Sequence, residues 1–351
     1  MRRLPPKKVS NQKKTQNTLL VDGNALYKRG FIGAKDVYNS KGKPVGGVYQ
    51  FLTVLRKLLE DNLYHKVFVF WDGEFSGKMR WEVYKDYKIG RGKDYINGTK
   101  PEDPSEIIQK MIIYNYLEEL YIRQLMDDVV EGDDLIAYYC NIKNDNEKIT
   151  IATSDRDLAQ LINDDVRIWM LDLKTYVTKS NFNKYFKYHL ENAALMKIMC
   201  GDNSDSIKGI KRLGENTLIK HFPKITETKV DVDYIVNEAK KLQSDRISLK
   251  KKPLQILTNI SESITDGIQG EEIYKINEIL VDLSKPLLTD NVIKDMDNLI
   301  NLPLSNDRSI KKVYQMLKKD GLDKIIGEYR FDDFLLPFKK IIEREKKNNL
   351  K

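Results

Sequence analysis

Short apolar runs that end in a carboxylate recur along the chain: Thr18–Asp22, Lys66–Asp72 and Lys148–Asp155. They are rich in β-branched and aromatic residues and bounded by turn formers, the pattern of buried strands. Helical spacing lies between them. Val48, Phe51, Leu52, Leu55, Leu58 and Leu59 share one face, and Ile107–Leu125 continues at the same period, so both stretches are predicted to be helices. Val166–Met170 and Tyr176–Thr178 are two further candidate strands. Strand–helix–strand alternation predicts an α/β fold, a mostly parallel central sheet flanked by helices. From about Asn181 the pattern turns helical, with polar connections around 224–232 and 243–253. Ile279–Leu283 fits a strand or a buried helix end equally well. This reading divides the chain into 18–180 and a helical part, 181–351.

Of the 351 residues 41% are hydrophobic and 32% charged, which supports a sizeable core and excludes global disorder. No apolar run approaches the roughly 18–20 residues of a membrane span. No apolar segment follows the first basic residues, so neither membrane association nor a secretory signal is expected, and the expected location is cytoplasmic. Cys140 and Cys200 are then expected as reduced thiols. With two cysteines and three histidines, a zinc site is disfavoured, and metal chemistry would have to use oxygen ligands. The net charge is +8, which suits a polyanionic partner. Much of it sits in residues 1–17, where Arg2, Arg3, Lys7, Lys8, Lys13 and Lys14 occur without an acid. A solvated, disordered tail is expected there, with a weak contribution to nucleic-acid affinity.

Asp22, Asp72 and Asp155 each close a predicted strand, and the carboxyl ends of parallel strands form the ligand crevice of an open sheet. One acid at a strand end is commonplace, because Asp favours turns, and Asp172 is read that way. Glu131, Asp133 and Asp134 crowd a predicted helix start; capping accounts for one or two of them, but three repel one another. Asp157 follows Asp155 by two positions, and Asp202 and Asp205 follow Cys200. Nine acids of this kind suit two Mg²⁺ ions, with Mn²⁺ able to substitute, in phosphodiester hydrolysis. The remainder of the chain is strongly basic, a surface suited to a nucleic-acid backbone.

Ser206, Lys208, Gly209, Lys211 and Gly214 follow the last acids, between helical patterns at Ala193–Met199 and Asn216–Phe222. Small residues between two helices allow backbone N–H groups to face an anion, and a helix start at Gly214 adds a favourable dipole. The ordinary alternative is a glycine-containing turn between helices.

In this order, Val21–Asn24, Trp71–Gly73, Glu131–Asp134, Ser154–Asp157 and Gly201–Ile210 resemble the structure-specific 5′-nucleases: flap endonucleases, the 5′-nuclease domains of bacterial DNA polymerases and phage 5′–3′ exonucleases. The match covers roughly residues 18–222 and rests on five ordered motifs. It implies a PIN-like nuclease domain over 18–180 with a helical arch at about 74–105, and a helix-hairpin-helix at about 191–222 within the C-terminal helical domain. It implies that Glu131, Asp133 and Asp134 hold a first ion, with Asp22 and Asp72 near it. Asp155, Asp157, Asp202 and Asp205 would hold a second, and a potassium ion would sit at the hairpin. In the arch slot Arg80, Lys85, Tyr87, Lys88, Arg91 and Lys93 match a path for the 5′ strand, where bases stack and phosphates pair. Lys88 and Arg91 would stabilise charge on the phosphate.

Ile276–Leu283, Pro286 and Asp290–Asn291 resemble the second domain of the RNase H of T-even-type phages. This implies a monomeric 5′–3′ exonuclease or flap endonuclease acting on DNA and RNA–DNA hybrids with 5′ ends, flaps or nicks, removing RNA primers in phage-type replication. A sliding clamp and a single-strand-binding protein are the protein partners it suggests, with Asp332–Phe338 as a clamp-docking segment or, alternatively, buried helix-end packing. A PIN-like ribonuclease and a non-catalytic binder of branched DNA are the competing classes. A phosphoaspartyl phosphatase is weaker, since Asp22-Gly-Asn24 lacks a second Asp.

Overall fold

The structure, a computed structural model, describes residues 15–61, 63–91, 103–244, 251–266, 270–302, 308–327 and 330–349. Six strands form the central sheet: β1 (Gln16–Asp22), β2 (Lys66–Asp72), β3 (Arg123–Asp127), β4 (Glu147–Thr153), β5 (Val166–Met170) and β6 (Thr175–Val177). Their order is β3-β2-β1-β4-β5-β6; the first five run parallel and β6 is antiparallel. Asp22, Asp72, Asp127 and Thr153 therefore reach the same carboxyl edge.

Helices α1 (Gly23–Gly33), α2 (Gly46–Asp61), α3 (Lys78–Val83), α4 (Pro104–Glu119) and α5 (Gly132–Ile142) join the strands. The predicted face of α2 is buried at every position from Val48 to Leu59 that the spacing selected. Gly23 lets α1 begin hard against β2, since a Cβ there would lie 2.5 Å from the Trp71 ring. The helix predicted over Ile107–Leu125 ends at Glu119, and Arg123–Asp127 is a strand instead. Leu120, Tyr121 and Ile122 keep the helical period while the backbone turns at Tyr121, with φ +59° and no glycine to signal it. The strand itself is polar and only partly buried, as suits a sheet edge. β1 begins at Gln16, so the expected tail ends before residue 17; residues 1–14 lie outside the described residues.

The C-terminal part holds α6 (Ala193–Cys200), a two-residue hairpin pair β7 (Gly201–Asp202) and β8 (Ile207–Lys208), then α7 (Glu215–His221). It continues with α8 (Val232–Ser244), α9 (Lys251–Ser261), α10 (Glu272–Val281), α11 (Asp290–Asn301), α12 (Ile310–Lys319), α13 (Asp323–Ile326) and α14 (Phe331–Asn349). Ile279–Val281 closes α10, which resolves the strand-or-helix ambiguity there. The segment expected as one helical domain is shared among three cores. α6 to α10 enclose their own, around Met199, Leu218, Leu257 and Ile273. Val292 and Met296 of α11 join the β1–β5 face covered by α5. Val313, Leu317, Phe331, Leu335 and Phe338 of α12 and α14 join the opposite face, with α1, α2 and α4. Phe334, Leu335 and Phe338 of Asp332–Phe338 are buried and serve packing, the alternative read for this segment, while Leu336 is exposed. Among the described residues no helix is long and apolar enough to cross a membrane.

Candidate active site

The carboxyl edge of the sheet, the start of α5 and the β7–β8 turn meet around one open cavity of about 420 Å³. Eight of the nine predicted acids line it: Asp22, Asp72, Glu131, Asp133, Asp155, Asp157, Asp202 and Asp205. Local structure fixes four of them by hydrogen bonds to nearby groups. Asp22 caps α1, accepting from the Ala25 N–H at 2.9 Å through Oδ1, while Thr153 Oγ1 donates to Oδ2 at 2.8 Å. Asp72 Oδ1 accepts from the Gly132 N–H at 2.7 Å, tying β2 to the start of α5. Asp155 Oδ1 accepts from the Asp157 N–H at 2.7 Å, and Asp202 Oδ1 from the Ser204 N–H at 2.7 Å. Asp133, half-buried in the first turn of α5, has no hydrogen-bond or ion-pair partner among the described residues.

The electrostatics divide the cavity. Burial, and then the Asp72 charge, push the Asp22 carboxyl up to about 6. Burial and the Asp155 charge push Asp157 to about 6 against the pull of Lys197. Asp133 is driven well above the carboxylate range by burial and then by Asp155, Asp22 and Asp72. Glu131 goes the other way. Burial opposes its ionisation, but the charges of Lys88 and Arg80 hold it down at about 2.

Asp134, the ninth acid, faces elsewhere. Its carboxylate takes both terminal nitrogens of Arg80 and the Leu287 N–H, at 3.0 Å for the Arg80 Nη2 and Leu287 contacts. Consecutive residues on a helix diverge by about 100°, so Asp133 and Asp134 cannot both face the cavity. Arg80 is likewise buried: its Nε donates to the Leu280 carbonyl at 2.9 Å, and Nη1 lies 2.7 Å from Glu131 Oε2. Expected as a nucleic-acid contact, it instead pins the base of the arch segment to α5 and α10. Tyr87, expected on the strand path, is buried in the core of the hairpin unit, and its hydroxyl donates to Glu131. Lys88 lines the cavity with its ammonium on Glu131, and its N–H donates to the Asp205 carbonyl at 2.7 Å. Lys85 is exposed, with its ammonium 3.7 Å from the centroid of the Trp81 ring. The Arg91 side chain, Lys93 and the remainder of the arch from 92 to 102 lie outside the described residues.

In the hairpin, Ser206 Oγ accepts from the Gly90 N–H at 3.1 Å, docking the arch base on the acidic turn. The Ile210, Lys211 and Leu213 N–H groups donate to the carbonyls of Met199, Ile264 and Ile210, so these three do not form the expected anion nest. Gly209 is required by packing, because a Cβ would lie 2.1 Å from the Cys200 carbonyl carbon. Lys208 and Gly214 are exposed, and Lys211 Nζ pairs with Asp266 at 2.7 Å. The Lys208 and Lys211 carbonyls accept from the Asn277 and Asn259 side-chain amides, at 2.9 and 2.8 Å.

Asn24, Ser154, Arg156 and Ser204, which fall within the quoted motifs without a role assigned to them, also line the cavity, as do Lys28 and Lys197, which fall in none. Lys197 bridges Asp157, at 2.8 Å, and Asp202. Its only sequence signal is its position one helical turn before the Asp202 loop. The donor set is all oxygen and excess negative charge collects at Asp22, Asp133 and Asp157, which fits a hard divalent cation. Among the described residues, however, no three acids are arranged as a ready ligand set. Lys88 on Glu131 and Lys197 between Asp157 and Asp202 engage three of these acids instead.

The N-terminal, resolvase-like domain of 5′-3′ exonucleases matches residues 17–187. Thermostable DNA polymerase I of Thermus caldophilus is 33% identical over 205 residues, 58% of this chain and 23% of that protein, so the chain spans about a quarter of that relative. The 5′-3′ exonuclease of Buchnera aphidicola subsp. Schizaphis graminum is 24% identical over 290 residues, 82% of this chain and 96% of that one. Among solved structures, the T5 5′-exonuclease with bound zinc has a TM-score of 0.54 at 19% identity, covering 88% of this chain and 98% of that chain. A T5 flap endonuclease in a pseudo-enzyme–product complex with DNA and metal ions has a TM-score of 0.53 at 19% identity, covering 87% and 99%. These two likenesses concern the fold. The matched domain, with the acids in the same order along the chain, leads to one conclusion: residues 17–187 form a domain of the 5′-3′ exonuclease type.

Proposed function

We propose that the chain is a divalent-metal-dependent 5′–3′ exonuclease and flap endonuclease. Its substrates are the 5′ ends of branched duplex DNA and of RNA–DNA hybrids, and its role is primer removal in phage-type replication. The observation that carries this reading is Asp133, a half-buried carboxylate with no hydrogen-bond or ion-pair partner among the described residues, in a cavity lined by seven further acids from five segments of the chain. Such a cluster either takes up protons or gathers added positive charge, and a divalent cation would supply that charge. Asp22, Asp72, Glu131 and Asp133 would hold one Mg²⁺ or Mn²⁺, and Asp155, Asp157, Asp202 and Asp205 another. When bound, the ions lower the pKa of a water and stabilise charge on the attacking and leaving oxygens.

The chain's own residues do the rest. Lys88 and Lys197 bring fixed positive charge to the walls where a phosphate would lie, which limits repulsion between substrate and acids. Arg80 and Tyr87 hold the arch base in place, so that Lys88 keeps its position relative to Glu131. Exposed Lys208, beside the acidic turn, is placed to meet duplex backbone. DNA is the expected partner, and a monomer is the expected unit.

A single gel tests the reading: 5′-labelled flap, nicked duplex and RNA–DNA hybrid, each with Mg²⁺ and with EDTA. Cleavage of flap and hybrid to short 5′-phosphorylated products, in Mg²⁺ only, is the expected outcome. Binding without cleavage, or preferential cutting of unstructured RNA, would contradict it.

A further inference from the structure

We propose that the α1 wall of the cavity, Asn24 and Lys28, is a binding site for one phosphodiester of the substrate strand, with Lys28 as the phosphate contact. The inference rests on the nuclease reading above and adds a binding site to it.

Among the described residues four cations line the cavity: Lys28, Lys88, Arg156 and Lys197. Three are committed. Lys88 sits on Glu131, and Lys197 bridges Asp157 and Asp202. Arg156 donates to the Tyr185 carbonyl at 2.8 Å and stacks over the Phe186 ring at 4.7 Å. Lys28 is exposed and has no hydrogen-bond, ion-pair or ring partner among the described residues. No acid lies within its own helix, and it acts on the capping Asp22 through space, without a hydrogen bond or an ion-pair contact.

Placement supports a built wall. Asn24 and Lys28 are four residues apart, so they stand one above the other on the same face of α1. That face opens on the cavity, since Asp22, Asn24, Ala25 and Lys28 all line it. The start of α1 is fixed by the Asp22 cap and by the contact of Gly23 with Trp71, so the wall is rigid where it meets the site. A cation already bound to a carboxylate offers little net attraction to an incoming anion. An uncommitted one, beside an excess of acids, draws a phosphate into a cavity that would otherwise repel it. The Asn24 amide can donate to a second phosphate oxygen.

The test uses the full-length protein and a 5′-flap DNA, with binding measured in EDTA so that no hydrolysis intervenes. Lys28→Met should weaken binding about fivefold and make the dependence of log K on log salt shallower by about 0.9. Lys28→Arg should stay within about twofold of wild type, because it keeps the charge. A series of flaps, each with one neutral methylphosphonate, locates the contact. One position should cost the wild type about fivefold and cost Lys28→Met nothing further. In Mg²⁺, KM should rise more than kcat falls. An unchanged affinity and salt slope in Lys28→Met would make Lys28 an ordinary solvated lysine and overturn the proposal. So would equal losses in both proteins at every methylphosphonate. If the wild type itself neither binds nor cuts the flap, the nuclease reading falls, and this inference falls with it.

Discussion

The two sides of the cavity handle the same problem, crowded negative charge, in different ways. On the Glu131 side the chain supplies its own counter-ions: Arg80 and Lys88 sit on the carboxylate, and it stays ionised, held at about 2. On the Asp22–Asp133 side the neighbours are other acids, and burial and repulsion push both groups upward. The first arrangement is structural, because it closes a buried network that fastens the arch base. The second is incomplete without an outside cation. Acids alike in sequence therefore differ by what faces them: Asp134 is an anchor, Asp22 and Asp133 are candidate ligands, and Glu131 is paired with Arg80 and Lys88 while it also borders the cavity.

Removing an anchor should have the largest effect on stability. Arg80→Ala leaves Asp134 buried and unpaired, and breaking such a pair costs about 3–5 kcal/mol; urea denaturation of the variant checks it. Asp134→Asn should also destabilise, through the same network. A variant as stable as the wild type would erase the distinction between the two sides. Asp133→Asn should do the reverse. Cleavage of a flap should fall on the order of 10²–10³-fold, while the metal-free protein becomes no less stable, because a repelling charge has been removed. Single-turnover rates and melting curves on the same preparation separate the two effects.

Smaller effects sharpen the comparison. Lys197→Met removes the internal cation between Asp157 and Asp202. Calorimetry should find Mn²⁺ bound about tenfold tighter, ~1.4 kcal/mol; weaker binding would mean that Lys197 assists the metal instead of competing with it. The smallest effect is one of pH. The folded carboxyls of Asp22 and Asp157 sit near 6, above the ordinary aspartate value of 3.8. Between these values the folded state holds more protons than the unfolded state, so metal-free stability should fall as pH rises from about 4 to 6. Saturating Mg²⁺ should flatten that slope in thermal melts.

Much of this was legible from residues alone, for identifiable reasons. Asp22 and Asp72 end strands whose apolar runs leave no doubt about direction, and a parallel sheet brings such ends to one edge. β3 was not legible, because Arg123–Asp127 is polar and follows Leu120–Ile122, which continue the helical period. Three crowded acids announced a site, but spacing alone did not show that Asp134 turns away to Arg80. The aromatic residues of the arch slot read as a stacking path, whereas Tyr87 is core and Tyr84 packs against it. Lys28 and Lys197 carried no motif. Their place at the cavity follows from helices whose starts are set by Asp22 and by the turn at Asn192.

The central claim is that these acids jointly hold divalent cations. Manganese binding followed by electron paramagnetic resonance tests it directly, on the wild type and on Asp133→Asn and Asp155→Asn. Two bound ions per chain, with at least one lost or markedly weakened in each variant, is the predicted result. No bound manganese, or the same binding in all three proteins, would contradict it.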